Sequence, residues 1–146
     1  MARAVLDSSV LISAFLTPAG TCAQLLHAAE RGVFVLCLSP PLIAETAGVL
    51  LREAKLQRSY GYDHAKVEEF CNTLNASAQL STDLPDLSGA VPLDPKDDMI
   101  VATAVAAKAD YLVTGDRKHL LERGTYEGIR IVTPRAFLDL LGKNAV

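Results

Sequence analysis

The sequence predicts an α/β fold: a parallel sheet of four to five strands with helices on both faces and a helical hairpin inserted after the second strand. Three observations predict it. Short apolar runs rich in β-branched residues recur along the chain, helical patterns separate them, and two of the runs end on an aspartate. Half of the 146 residues are apolar, so a chain of this length can bury a core without staples and reads as one domain spanning 1–146.

Ala4-Val5-Leu6 is a short buried-strand signal ending at Asp7-Ser8-Ser9, and the apolar stretch from Val10 to Leu16 starts a helix. After Pro18-Ala19-Gly20-Thr21, residues Cys22 to Arg31 carry Leu25, Leu26 and Ala29 at helical spacing until Gly32. Val33 to Leu38 is uniformly apolar, as a parallel strand covered on both faces should be. Ser39-Pro40-Pro41 opens a helix with a hydroxyl cap and proline in the first turn. That helix runs to about Leu51, and a second one carrying Val67, Phe70, Cys71 and Leu74 follows the polar break at 59–62, giving a hairpin over 41–75. Ser77 to Leu80 reads as a short edge strand and 85–95 as a turn-rich connection. Asp97 or Asp98 opens the next helix, and Tyr111 to Thr114 is a strand that stops at Gly115-Asp116. A short helix through Leu120 and Leu121, a strand at Ile129 to Val132 and a helix from Pro134 to Leu141 complete the alternation. A doubly wound sheet of this kind places its ligand crevice beyond the carboxyl ends of the strands.

Composition narrows the function classes. Cys22, Cys37 and Cys71 are odd in number and widely spaced, which indicates neither a disulfide frame nor a zinc site. The start of the chain meets an aspartate and two serines before any run long enough for a signal peptide, and no apolar run reaches membrane-spanning length, so a cytoplasmic protein without a membrane partner is expected. The net charge of −3 argues against coating nucleic acid by charge alone. Removing the acids beside apolar runs as metal ligands would leave the rest near neutral, so RNA remains compatible.

Those acids form a constellation. Asp7 and Asp116 both follow strands, and in a parallel sheet both point into the crevice at the same edge. Glu45 sits in an otherwise apolar helix after the second strand, and Asp97 lies in the first turn of the helix leading to the next strand, so both can converge there. Four carboxylates at close range repel and lose solvation unless a counter-ion intervenes. Oxygen-only ligands select hard cations, Mg²⁺ or Mn²⁺, which activate water for attack on a phosphodiester. Ser8, Ser9 and Thr114 flank the acids and can hydrogen-bond a carboxylate or a substrate phosphate.

Asp7-Ser8-Ser9-Val10-Leu11-Ile12-Ser13-Ala14, Glu45, Asp94-Pro95-Lys96-Asp97-Asp98 and Ala109-Asp110-Tyr111-Leu112-Val113-Thr114-Gly115-Asp116 resemble the PIN-domain ribonucleases over nearly the whole chain. The likeness is greatest to the toxin members of toxin–antitoxin pairs. It implies a metal-dependent endoribonuclease whose acidic quartet is Asp7, Glu45, Asp97 and Asp116, a homodimer, an RNA substrate and a protein antitoxin that occludes the site. The register of the family's helix selects Asp97, with the adjacent Asp98 able to share metal or water contacts. One departure is Ser9, where such proteins often carry asparagine.

Each residue also has a plainer reading. Asp7 and Asp116 can cap the helices after them, Glu45 can be a solvent-facing helix residue, and Asp97 a first-turn acid favoured by the helix dipole. Arg52, Lys55 and Arg58 recur every three residues, as either a basic ridge for an RNA backbone or a solvated helix face would require. Arg117, Lys118 and His119 follow the last acid, where a cation can contact phosphate or simply face solvent. His27 and His64 have no partner pattern. Two other functions share part of the pattern. A receiver-like signalling domain also places aspartates around Mg²⁺, but needs a phosphate-accepting aspartate and a later lysine, and the 33–38 strand ends without an acid. A catalytically silent PIN-like protein-binding module would have no need of all four acids.

Overall fold

The computed structural model describes residues 1–87 and 95–144. Its strands are β1 (Arg3–Leu6), β2 (Val35–Leu38), β3 (Gln79–Leu80), β4 (Tyr111–Val113), β5 (Thr125–Tyr126) and β6 (Ile129–Val132), in the sheet order β3-β2-β1-β4-β6-β5. Every pairing is parallel except that of β5 with β6. The helices are α1 (Ser8–Leu16), α2 (Thr21–Glu30), α3 (Pro40–Arg52), α4 (Ala54–Tyr60), α5 (His64–Ser77), α6 (Pro95–Ala106), α7 (Lys118–Arg123) and α8 (Pro134–Asn144).

The chain starts in the middle of the sheet, builds outward through β2 and β3, then returns to the other side of β1 with β4. The order therefore reverses between β1 and β4, which is where a doubly wound sheet opens a crevice. Pairing of Leu6 with Val113 sets the ends of these strands level, and the Asp7 amide donates to the Val113 carbonyl at 3.1 Å. The crossovers between parallel strands run through helices, α1 and α2 between β1 and β2, and α6 ahead of β4. Ala4, Val5, Leu6, Leu36, Cys37, Leu38, Leu112 and Val113 are all buried, which explains why the strands carry no polar alternation. At the far side Phe137 of α8 packs edge-on to Phe34, with centroids 5.1 Å apart, and against Tyr111.

Four details differ from the sequence expectation. The sheet has six strands among the described residues, because β5 forms a two-residue hairpin with β6. The turn places Glu127 at φ 46° and Gly128 at φ 84°, the pair of positive values a tight hairpin needs. The 41–75 hairpin is three helices: the chain breaks at Glu53 and restarts as α4. The carbonyls freed at the end of α3 are satisfied by side chains, Leu50 by the Tyr62 hydroxyl at 2.7 Å and Leu51 by Gln57 Nε2 at 3.0 Å. Val33 and Phe34 precede β2 rather than belong to it, since the Val33 amide still closes α2 by donating to the Ala28 carbonyl after Gly32 at φ 77°. Finally, α6 begins at Pro95, ahead of Asp97 and Asp98. The turn-rich connection expected over 85–95 lies outside the described residues from 88 to 94. All three cysteines are free, and no single helix among the described residues is long and apolar enough to cross a membrane.

Candidate functional site

Beyond the ends of β1 and β4 lies an open cleft of about 770 Å³. Asp7, at the junction where β1 turns into α1, is fully buried beneath the lining and meets it through Arg117. Its two carboxyl oxygens take different partners. Oδ1 accepts from the Val10 amide at 3.1 Å, capping α1, and from the Ser9 hydroxyl at 2.7 Å. Oδ2 is left for Arg117, whose Nε lies 3.3 Å away. Ser9 thus supplies a side-chain donor to the acid two residues before it. Thr114, also fully buried, hydrogen-bonds the same carboxyl and accepts the Arg117 amide at 3.4 Å.

The guanidinium of Arg117 is the centre of the arrangement. Besides Asp7 it meets Asp97 Oδ1 through Nη1 at 2.5 Å and Glu45 Oε1 through Nη2 at 4.0 Å. A single cation therefore joins carboxylates from the end of β1, the middle of α3 and the first turn of α6, and it can do so because its planar fork presents donors in several directions. One positive charge does not balance three negative ones at this depth. Burial is the largest influence on Asp7 and pushes its carboxyl above the ordinary value of 3.8, against hydrogen bonds from Ser9, Thr114 and Val10 and the charge of Arg117. For Arg117, burial pulls the pKa down, but the Asp97 hydrogen bond and the charges of Asp7, Asp97 and Glu45 outweigh it and leave the guanidinium more firmly protonated than usual.

Of the four acids, three are therefore brought together around Arg117. Asp116 lines the same cleft but is exposed and makes no ion pair with the described residues. Asp97, not Asp98, faces the cleft, whereas Asp98 Oδ1 is buried without a hydrogen-bond partner among the described residues. Glu45 Oε2 is likewise buried and unpartnered. Ser8, Ser9, Lys118 and His119 line the cleft. Arg52, Lys55 and Arg58 are exposed on α3 and α4 and do not line it. Arg117 points inward to the acids, and only 15% of its side chain is exposed.

As placed, the acids do not close on one point: among the described residues no three His, Cys, Asp or Glu side chains form a ready metal cage, because the guanidinium lies between them. The donor set nevertheless fits a hard divalent cation. It is oxygen-only, carries excess negative charge, and includes the buried Glu45 oxygen that still needs a positive partner. Sequence reasoning passed over Ser13, Thr17, Val49 and Tyr60, which also line the cleft. A signal existed for two of them: Ser9, Ser13 and Thr17 recur every four residues, a hydroxyl stripe along α1 and its C-cap.

A family model described as PIN domain matches residues 3–118. Among solved structures, PAE2754 from Pyrobaculum aerophilum is similar with a TM-score of 0.66 at 20% identity, over 97% of this chain and 90% of that one. VapBC2 from Rickettsia felis, solved bound to a DNA fragment from their promoter, is similar with a TM-score of 0.62 at 13% identity, over 90% and 98% of the two chains. At these identities the structural likeness is one of fold. No curated protein matches.

Proposed function

The chain belongs to the PIN-domain family, whose members are generally nucleases, and from that premise we propose that it is a divalent-metal-dependent endoribonuclease serving as the toxin of a toxin–antitoxin pair. The observation that carries this reading is the meeting of Asp7, Glu45 and Asp97, from three separate elements, around one shared cation in an open cleft, with buried carboxylate charge to spare. With Asp116 these acids would hold Mg²⁺ or Mn²⁺, and Asp98 would contribute at one remove. When bound, such a cation supplies Lewis acidity at a phosphodiester and lowers the pKa of adjacent water.

The chain's own residues do the rest. Ser9, Thr114 and the Val10 amide fix the Asp7 carboxylate, leaving Oδ2 to Arg117. Arg117 balances the acids and, on release from them, becomes a phosphate-binding cation beside Lys118 and His119. The exposed rim admits a polynucleotide that a closed cavity would exclude. The toxin assignment is supported by the fold shared with VapBC2; a protein antitoxin, a homodimer and a cytoplasmic location are proposed with it.

Incubating a mixed RNA pool with the purified protein in Mg²⁺ or Mn²⁺, in excess chelator, and beside the Asp7→Asn variant tests the reading. Cleavage that requires both metal and Asp7 is expected. Cleavage equal in chelator, or equal in the variant, would overturn it.

A further inference from the structure

Ser39-Pro40-Pro41 opens α3, yet the hydroxyl cap expected there is not made: Ser39 has the extended backbone of a cap residue, but its side chain accepts no amide of the first turn. The prolines explain this. A capping oxygen is drawn to the second and third amides of a helix, and Pro41 has no N–H to give. The Ser39 hydroxyl instead lies 2.8 Å from the Thr103 hydroxyl of α6, across a sequence separation of 64. Both residues are fully buried, and Thr103 donates in turn to the Met99 carbonyl, one turn earlier in α6, at 2.9 Å. With that proton committed, Ser39 is the donor of the pair.

Around this bond β2, α3 and α6 contribute Leu38, Leu42, Ile43, Ile100 and Val101 to the core. Apolar packing is non-directional and lets two helices slide against each other, whereas a hydrogen bond has a set length and angle. A buried hydroxyl pair adds little net stability over an apolar pair of the same shape, so what it supplies is register. Glu45 stands six residues after Ser39 on α3, and Asp97 six residues before Thr103 on α6. Each acid is therefore about 9 Å of helix from the pair. Asp7 is held at a strand end by Ser9, Thr114 and the Val10 amide. The partner of Glu45 and Asp97 among the described residues is Arg117, a long side chain that sets no spacing between helices.

We propose that Ser39 and Thr103 are positioning residues for the metal site: their hydroxyl pair fixes α6 against the start of α3 and thereby sets the separation of Glu45 and Asp97. This rests on the metal-dependent reading above and adds the element, outside the cleft lining, that gives the site its dimensions. A hard cation tolerates little error in the placing of its carboxylates, and a displacement of about 0.5 Å is enough to weaken a site.

The paired variant Ser39→Ala/Thr103→Val removes both hydroxyls at nearly constant volume and strands no buried polar group, so its denaturation midpoint in chelator should stay close to native. Its Mn²⁺ affinity, measured far below the unfolding transition, should nevertheless fall about tenfold. Ser39→Ala alone, in which Thr103 keeps its bond to the Met99 carbonyl, should show a loss of the same order and serves if the paired variant folds poorly. Thr103→Ser, which retains the hydroxyl and loses a methyl, should hold Mn²⁺ within about twofold of native even where it melts earlier. Native-like Mn²⁺ affinity in Ser39→Ala and in the paired variant would overturn the positioning role and leave the metal site standing. An equal loss in Thr103→Ser would assign the effect to packing and also overturn it. Absence of saturable Mn²⁺ binding in the native protein would overturn both the metal site and its positioning.

Discussion

The floor and the rim of the cleft are built on opposite terms. At the floor Asp7, Glu45 and Asp97 are largely withdrawn from water and tied to Arg117, so their geometry is set by the protein. At the rim Asp116, Lys118, His119 and Tyr60 are exposed and take no part in that network. Charge held in low dielectric is strong but costly, whereas charge in water is cheap and weak. The floor therefore holds its charge at the expense of stability, and the rim side chains stay in water.

The largest effect should come from the floor acids. Asp7→Asn and Asp97→Asn should each lower RNA cleavage by more than about 100-fold in Mg²⁺, read as initial rates on a labelled RNA, since each removes an anionic ligand rather than a supporting hydrogen bond. Near-native rates in both would dissolve the distinction between floor and rim.

Next in size is the counter-ion. Arg117→Ala should cost about 3 kcal/mol in denaturant unfolding with chelator present, because it strands buried carboxylates, and Mg²⁺ should recover part of that loss. Arg117→Lys should recover less than half, as a point charge cannot reach three carboxylates.

A smaller effect follows from Asp7 and carries a sign. Burial raises its folded-state pKa above 3.8, so the native state holds this proton more tightly than the unfolded chain does, and the Asp7 contribution to stability falls as pH rises through that folded value. In chelator at neutral pH, Asp7→Asn should therefore be slightly more stable than the native protein, since Asn keeps the cap of α1, and the gap should close as pH approaches 3.8. Thermal melts across pH would measure it, and a gap that widens toward acid would have the wrong sign.

The smallest effects belong to the rim and beyond. Lys118→Ala should reduce the slope of log affinity for single-stranded RNA against log salt by about 0.7 without changing stability. Replacing Arg52, Lys55 and Arg58 together by Ala should leave cleavage within about twofold, as they lie off the cleft.

The parts of this architecture legible in the sequence were those carried by burial. Ala4 to Leu6 and Tyr111 to Val113 announce themselves because a parallel strand has no solvent face, and the acids after them mark the shared edge. Where elements are short or stabilised by tertiary bonds, the pattern fell silent. The β5 strand is two residues long, and its turn uses Glu127-Gly128, in which glutamate hides the usual asparagine or aspartate signal. The start of α4 follows no Gly or Pro; it depends on Gln57 and Tyr62 reaching back to α3, which no local pattern encodes. In the site, residue types indicated which acids could meet but not that Arg117 would turn inward, because a side chain's direction after a strand is settled by the charges it finds.

The acids around Arg117 are tested most directly by metal binding. Mn²⁺ titration of the purified protein, followed by loss of the free-ion paramagnetic resonance signal, measures it without reference to any substrate. Saturable binding that weakens more than about tenfold in Asp7→Asn and in Glu45→Gln is the expected result. Binding absent in the native protein, or unchanged in both variants, would contradict it.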